Sequence, residues 1–199
     1  MDIITIPVGM NATNCYIVEY KKSNCIIIDP GAEGEKIFTY IEQEQMEVKG
    51  IVLTHGHFDH IGAVKFLLDQ YDTELAIHEL DNPYLMDARK NLSFMIGEKI
   101  ELDSADRLID EGDRYYDFKV IATPGHTPGG ISLYNESEGI LFSGDTIFNS
   151  GYGRTDFPGA DPEELSNSIK KLLLLPEKTK IFPGHGRTTT IADFRRYIG

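Results

Sequence analysis

The chain has only two cysteines, Cys15 and Cys25, in 199 residues. So few thiols exclude a disulfide-stapled scaffold and fit a reducing compartment in which both stay free. Basic residues are also scarce: 19 Lys and Arg face 32 Asp and Glu, a formal charge of -13. That charge repels polyanions at long range, so nucleic acid is not an expected partner. No apolar run approaches the ~20 residues that span a bilayer; the longest aliphatic runs are Ile26 to Ile28 and Leu172 to Leu175. The opening MDIITIPVGMN has neither the basic n-region nor the apolar h-region of a secretory leader. These absences predict a cytoplasmic protein, off the membrane, whose partner is a small-molecule substrate. Monomer and homodimer both stay open.

What is present is an ordinary globular composition, 41% hydrophobic and 26% charged. We expect one domain over residues 1–199, long enough to bury roughly 70% of the surface its unfolded form exposes. Short β-branched or aromatic runs closed by turn residues predict antiparallel strands at 3–6, 14–20 and 25–28. Ile37, Phe38 and Ile41 stand at helical spacing in a helix over 35–44, followed by a strand at 50–53. Ile61, Val64, Leu68 and Tyr71 recur at steps of three and four, one face of a single amphipathic helix. A strand follows at 75–78, whereas 79–98 reads as helix broken by a loop. The second half predicts strands at 118–122, 131–134, 140–142 and 180–182, with a last helix over 191–197. Between them a helix runs from Pro162 to Leu175, with Asp161 as N-cap and Leu165, Ile169 and Leu172 facing inward. Two β-rich halves, each backed by helices, predict an α/β fold of two facing sheets with helices outside.

The histidines carry the chemistry. Of six in the chain, His55, His57 and His60 fall within six residues, accompanied by Asp59, on a loop between a strand and a helix. Two imidazoles two residues apart can converge on one ion, while the Asp59–His60 pair turns toward a second; zinc, iron and manganese accept these donors. Three further candidates stand beside glycine at strand ends: His126 in ATPGHTPGG, Asp145 in LFSGDTIF and His185 in IFPGHG. Glycine lets the backbone turn sharply there and present the ligand. Five histidines and two aspartates suffice for two ions sharing one carboxylate. Read instead as turn caps, the same residues would not cluster this way in a strand–loop–helix context. His78 stands alone after a strand and is expected to be structural or exposed.

THGHFDH, TPGHTPGG, FSGDTIF and FPGHG, in this order and across nearly the whole chain, resemble the metallo-β-lactamase superfamily. The resemblance implies a four-layer αβ/βα sandwich of two mixed sheets. It also implies that His55, His57 and His126 bind a first metal, that Asp59, His60 and His185 bind a second, and that Asp145 bridges them. The cofactor is then two divalent ions, zinc, with iron or manganese as alternatives. An aspartate at 145 and the segment GYGRTDFPG resemble the small bacterial glyoxalase II-like (hydroxyacylglutathione hydrolase-like) enzymes. A true β-lactamase is not expected, because those members usually lack a bridging carboxylate there. The implied reaction is hydrolysis of a thioester of the S-lactoylglutathione type or of a related small acyl-thiol.

Further roles follow from the same resemblance, each beside a plainer one. Asp59 would hydrogen-bond the nucleophile and shuttle its proton. Asp29, in IIIDPG, would orient a metal-binding imidazole, or form a simple Asx turn. Arg154 would hold a substrate anion, or pair with Asp156 or a backbone carbonyl. Tyr152 and Phe157 would wall the pocket, or be ordinary core aromatics. The chain ends fourteen residues past His185, without the helical C-terminal domain that long glyoxalase II enzymes use for glutathione. A rival enzyme, a persulfide dioxygenase, would use His55, His126 and Asp145 to hold one Fe(II). A nuclease of the superfamily would need a basic surface. Outside catalysis, the chain would be an inactive metal-binding homologue, although all seven ligand positions are filled.

Overall fold

All 199 residues are described in a computed structural model. In the first half the elements are β1 (Asp2–Val8), β2 (Thr13–Lys21), β3 (Asn24–Ile28), α1 (Gly34–Gln43), β4 (Glu47–Val52), α2 (Phe58–Ile61), α3 (Val64–Gln70), β5 (Leu75–His78), α4 (Asn82–Leu85), a 3₁₀ turn (Ser93–Ile96) and β6 (Arg107–Ile109). The second half contains β7 (Arg114–Tyr115), β8 (Phe118–Ala122), β9 (Ile131–Asn135), β10 (Ile140–Gly144), β11 (Ile147–Phe148), β12 (Gly151–Tyr152), α5 (Pro162–Leu172), β13 (Lys180–Pro183), β14 (Thr189–Thr190) and α6 (Ile191–Ile198). No helix is long and apolar enough to cross a membrane.

Two six-stranded sheets face each other, ordered β1-β2-β3-β4-β5-β6 and β14-β13-β10-β9-β8-β7. Short turns join β1, β2 and β3, so these pair antiparallel. From β3 to β6 the pairing is parallel, as the long crossovers require. In the second sheet the β10–β13 pair is parallel across the helical crossover through α5, and its other pairs are antiparallel. This is the mixed-sheet αβ/βα sandwich that the motifs imply.

The period of two along each strand assigns its side chains to layers. Tyr16, Val18, Ile26, Ile28 and Val52 face the second sheet and meet Phe118, Val120, Leu133, Phe142 and Phe182. Cys15, Ile17, Cys25, Ile27 and Ile51 face the other way and pack under Ile37, Ile41, Val64 and Leu67 of α1 and α3. On the far side, Leu141 and Ile181 pack against Leu165, Ile169 and Leu172 of α5 and Phe194 of α6. Phe142 anchors the centre, with its ring centroid 4.9 Å from that of Tyr16, 5.5 Å from Phe118 and 5.2 Å from Phe182. Burying such a ring contributes about 1.5–3 kcal/mol.

The helix expected through Ile61, Val64, Leu68 and Tyr71 is in fact two. Ala63 donates its N–H to Pro30 O at 2.9 Å instead of to the carbonyl four residues back, which breaks the ladder at Gly62–Ala63. Tyr71 is already extended and caps α3. The α5 helix stops at Leu172, short of Leu175. Its start is as expected: Asp161 accepts from the N–H groups of Glu163 and Glu164, satisfying two donors of the first turn. The strands of two or three residues, β6, β7, β11, β12 and β14, have no counterpart in the sequence expectations, because so short a run carries no periodic signal.

Candidate metal centre

The candidate ligands share one edge of the sandwich because the strands that end there run the same way. Asp29 follows β3, His55 and His57 follow β4, His126 follows β8, Asp145 follows β10 and His185 follows β13. Asp59 and His60 lie in the first turn of α2, with His57 in extended conformation just before it. The two sheets are stitched at this edge, where Asn14 N–H donates to Gly184 O at 2.7 Å and Thr13 bridges to His185.

Seven side chains converge there in three overlapping groups: His55, His57 and His126; Asp59, His60 and His185; and His55, His60 and Asp145. Within each group the potential ligand atoms all lie within 4.8 Å of one another. His57 Nδ1 is 3.0 Å from His126 Nε2. Asp145 stands between the first two groups: its Oδ1 is 3.5 Å from His60 Nε2, and its Oδ2 is 3.6 Å from His126 Nε2 and 3.5 Å from His185 Nε2. His185 Nε2 is also 3.4 Å from Asp59 Oδ2.

The outward-turned atoms of these residues are held by other groups. His126 Nδ1 meets the backbone carbonyl of Arg154 at 2.8 Å, and His185 Nδ1 that of Asn11 at 3.1 Å. His55 Nδ1 is 3.2 Å from Thr54 Oγ1. Thr54 in turn donates from N and Oγ1 to the two oxygens of Asp29, at 2.7 and 2.6 Å. Asp29 Oδ2 also lies 3.0 Å from His60 Nδ1, close but not aligned as a hydrogen bond. So Asp29 serves Thr54 and His60 rather than a local Asx turn, and it does so from a left-handed backbone, φ 52.

The inward-turned atoms have no such partners. His55 Nε2, His60 Nε2 and Asp145 Oδ1 are buried with no hydrogen bond, the last two 3.5 Å apart. Leaving a buried polar atom unsatisfied costs about 1–3 kcal/mol, and these three, from one of the groups above, fit divalent ions that accept imidazole and carboxylate.

The charges agree with that fit. Burial, helped by neighbouring imidazoles, holds His55 well below the usual histidine range and takes His57 down to about 3, leaving both neutral, the form that ligates. Burial would lower His60 and His185 as well, but Asp29, Asp145 and Asp59 outweigh it and raise them to about 9 and about 10. Burial likewise pushes Asp59 and Asp145 upward, and contacts with His185 and His60 overcome it, keeping both carboxyls below the usual range. Without metal, two imidazolium ions thus neutralise the carboxylates.

A cavity of about 380 Å³ opens over the cluster, with Phe58, Leu92, Phe148 and Phe157 among its walls. Arg154 also lines it, but the guanidinium is committed: Nε and Nη2 donate to Asp156 at 2.8 and 2.6 Å, and the group stacks 4.4 Å from the centre of the Phe157 ring. Its backbone carbonyl, not its charge, touches the cluster. Tyr152, expected as a wall, is 57% exposed on β12 and does not line the cavity. His78 is buried, where it accepts from Leu80 N–H at 3.1 Å and contacts Asp110 at 3.1 Å, a structural role.

Asn11, Thr13, Thr54 and Asp81 were not singled out in the sequence. Asn11 and Thr13 donate to Asp59 Oδ2 at 2.9 and 3.3 Å. Asn11, Thr13 and Asp81 lie far in sequence from the groups they serve, so no local motif marks them, whereas Thr54 opens THGHFDH itself and its bonds to Asp29 are what the sequence does not show.

The chain belongs to the metallo-beta-lactamase superfamily, whose sequence profile matches residues 8–185. It is 39% identical over 193 residues to the probable metallo-hydrolase YqgX of Bacillus subtilis, covering 94% of this chain and 90% of that one. It is 36% identical over 203 residues to the hydroxyacylglutathione hydrolase GloC of Haemophilus influenzae, covering 98% and 96%. Among solved structures, the BLEG-1 B3 metallo-beta-lactamase superposes with TM-score 0.93 at 36% identity over 100% of both chains. TTHA1623 in a di-iron-bound form superposes with TM-score 0.91 at 37% identity over 98% of both. With near full-length kinship to metallo-hydrolases and a His-rich cluster at the expected edge, the protein is a metal-dependent hydrolase of that superfamily.

Proposed function

We propose that the protein hydrolyses thioesters, of the S-lactoylglutathione type or of a related small acyl-thiol, at a pair of divalent ions, with zinc as the first candidate. The observation that carries this reading is the position of Asp145, within 3.6 Å of His60, His126 and His185 and so between both ligand groups. His55, His57 and His126 would hold one ion and Asp59, His60 and His185 the other, with Asp145 shared. A second support is the GloC relative, a hydroxyacylglutathione hydrolase by name. The di-iron form of TTHA1623 keeps iron open as the metal.

Bound there, the ions would act as Lewis acids on the thioester carbonyl and lower the pKa of a water toward ~7. The chain's own groups do the rest. Asp59 takes its hydrogen bonds from Asn11 and Thr13 on Oδ2; its Oδ1 accepts none, so it is the atom that takes up and returns a proton. Phe58, Leu92, Phe148 and Phe157 limit water around the reacting carbonyl. The departing thiolate, from a thiol of pKa ~8.5, leaves without a strong general acid.

The test is metal content per chain by elemental analysis, followed on the same sample by assays with S-lactoylglutathione, an uncharged acyl thioester, a chromogenic cephalosporin and a persulfide. Two ions per chain with thioester turnover is the expected result. One iron with oxygen consumption on the persulfide would replace this reading with a dioxygenase. Turnover of the cephalosporin alone would replace it with a lactamase. Two ions with no turnover on any substrate would point to an inactive homologue.

A further inference from the structure

We infer that Asp81 is a positioning residue that sets the separation of the two loops carrying His55, His57 and His126; the inference rests on the metal-binding reading above. Asp81 is fully buried, in the turn after β5, where its N–H donates to His78 O at 3.0 Å. Both of its oxygens are used, one by each loop. Oδ2 accepts the N–H of Gly56 at 2.9 Å, and Oδ1 accepts the N–H of Gly129 at 2.6 Å. Gly56 is the residue between His55 and His57, and Gly129 follows His126 by three positions. One carboxylate therefore clamps backbone from β4–α2 to backbone from β8–β9, two segments remote in sequence and on different sheets.

The fit leaves no slack. A Cβ at Gly129 would lie 2.5 Å from Asp81 N and 2.7 Å from Asp81 Oδ1, and one at Gly56 would lie 2.4 Å from Tyr84 Cβ. Both glycines thus allow an approach that any side chain would block. Bonds from ordinary amides to an ionised carboxylate are stronger than neutral ones, and a buried carboxylate needs them. The consequence is local to one ligand group. His57 and His126 sit with ring centroids 4.7 Å apart, and His55 and His126 5.0 Å apart. The other group is held by different residues: Asp29 against His60, Asn11 and Thr13 against Asp59, and the Asn11 carbonyl against His185. Asp81 contacts none of these.

The experiment is a zinc titration of the metal-stripped full chain against a chromophoric competing chelator, for wild type, Asp81→Ala and Asp81→Asn, with the melting temperature of each metal-free protein measured alongside. Asn keeps the volume but its amide nitrogen cannot accept an N–H, so it removes one of the two bonds and serves if Asp81→Ala does not fold. We expect wild type to bind two ions and the variants to keep one at near wild-type affinity, while the other weakens about 10–100-fold, as for other supports of metal ligands. A lowered melting temperature with both affinities unchanged, or with both weakened equally, would make Asp81 a general staple of the fold and overturn the inference. Wild type binding no zinc would instead overturn the metal-site reading on which it rests.

Discussion

His60 Nδ1 lies 3.0 Å from Oδ2 of Asp29, which turns the opposite nitrogen, Nε2, toward Asp145 Oδ1 at 3.5 Å. Asp29 receives Thr54 as well, so a single buried carboxylate sets one imidazole of the second ligand group and steadies the loop that begins the first. Replacing Asp29 by Ala should weaken binding of the ion proposed for Asp59, His60 and His185 about 10–100-fold. Competitive zinc titration reads this, and an affinity within twofold of wild type would show that Asp29 does not orient His60.

The pH dependence of the metal-free protein follows from the opposed shifts. An unfolded histidine titrates near ~6.5, whereas His60 and His185 are raised to about 9 and about 10. Their stabilisation is complete below pH ~6.5 and is lost as pH climbs through 9 to 10. His55 and His57 are depressed, so below pH ~6.5 the unfolded chain takes up protons that the folded one refuses. Asp59 and Asp145, also depressed, add a further loss in strong acid. The metal-free melting temperature should therefore peak near neutrality and fall on both sides. A steady rise from pH 6 to 10 would contradict the assignment.

Gly184 precedes His185 where a Cβ would stand 2.1 Å from Asp145 Oδ1 and 2.8 Å from His60 Cε1. Gly184→Ala must displace one of them. A displacement of about 1 Å at a reacting centre lowers rate on the order of 10²-fold, so kcat/KM should drop by about that factor. Retention of full kcat/KM would show that Asp145 has room to move without consequence.

Asp59→Asn separates proton transfer from metal binding. If Oδ1 carries a proton in the reaction, kcat should fall about 10²–10⁴-fold while metal content, checked by elemental analysis, stays at the wild-type value. Unchanged kcat with unchanged metal would remove the shuttle.

Much of the architecture was legible because it depends on short-range patterns. The β-branched and aromatic runs at 14–20 and 25–28, closed by turn residues, mark β2 and β3, and Asp161 before Pro162 marks a helix start. The break between α2 and α3 was not legible, since it arises when Ala63 bonds to Pro30 in another segment. Arg154 illustrates the same limit at the site: its charge drew attention in the sequence, but its carbonyl is the part that meets His126 while Asp156 holds the guanidinium.

The sequence by itself determined which residue types can bind metal and where each stands relative to a strand end, because glycine turns and ligand spacing are local properties of the chain. Only the tertiary structure decided that Asp145 lies between both groups, that Asn11 reaches Asp59 and His185, and that Asp81 joins the Gly56 and Gly129 loops. Those relations span the two sheets. They exist only once the buried faces around Tyr16 and Phe142 have brought the sheet edges together, and a contact made that way leaves no periodicity or motif in the sequence.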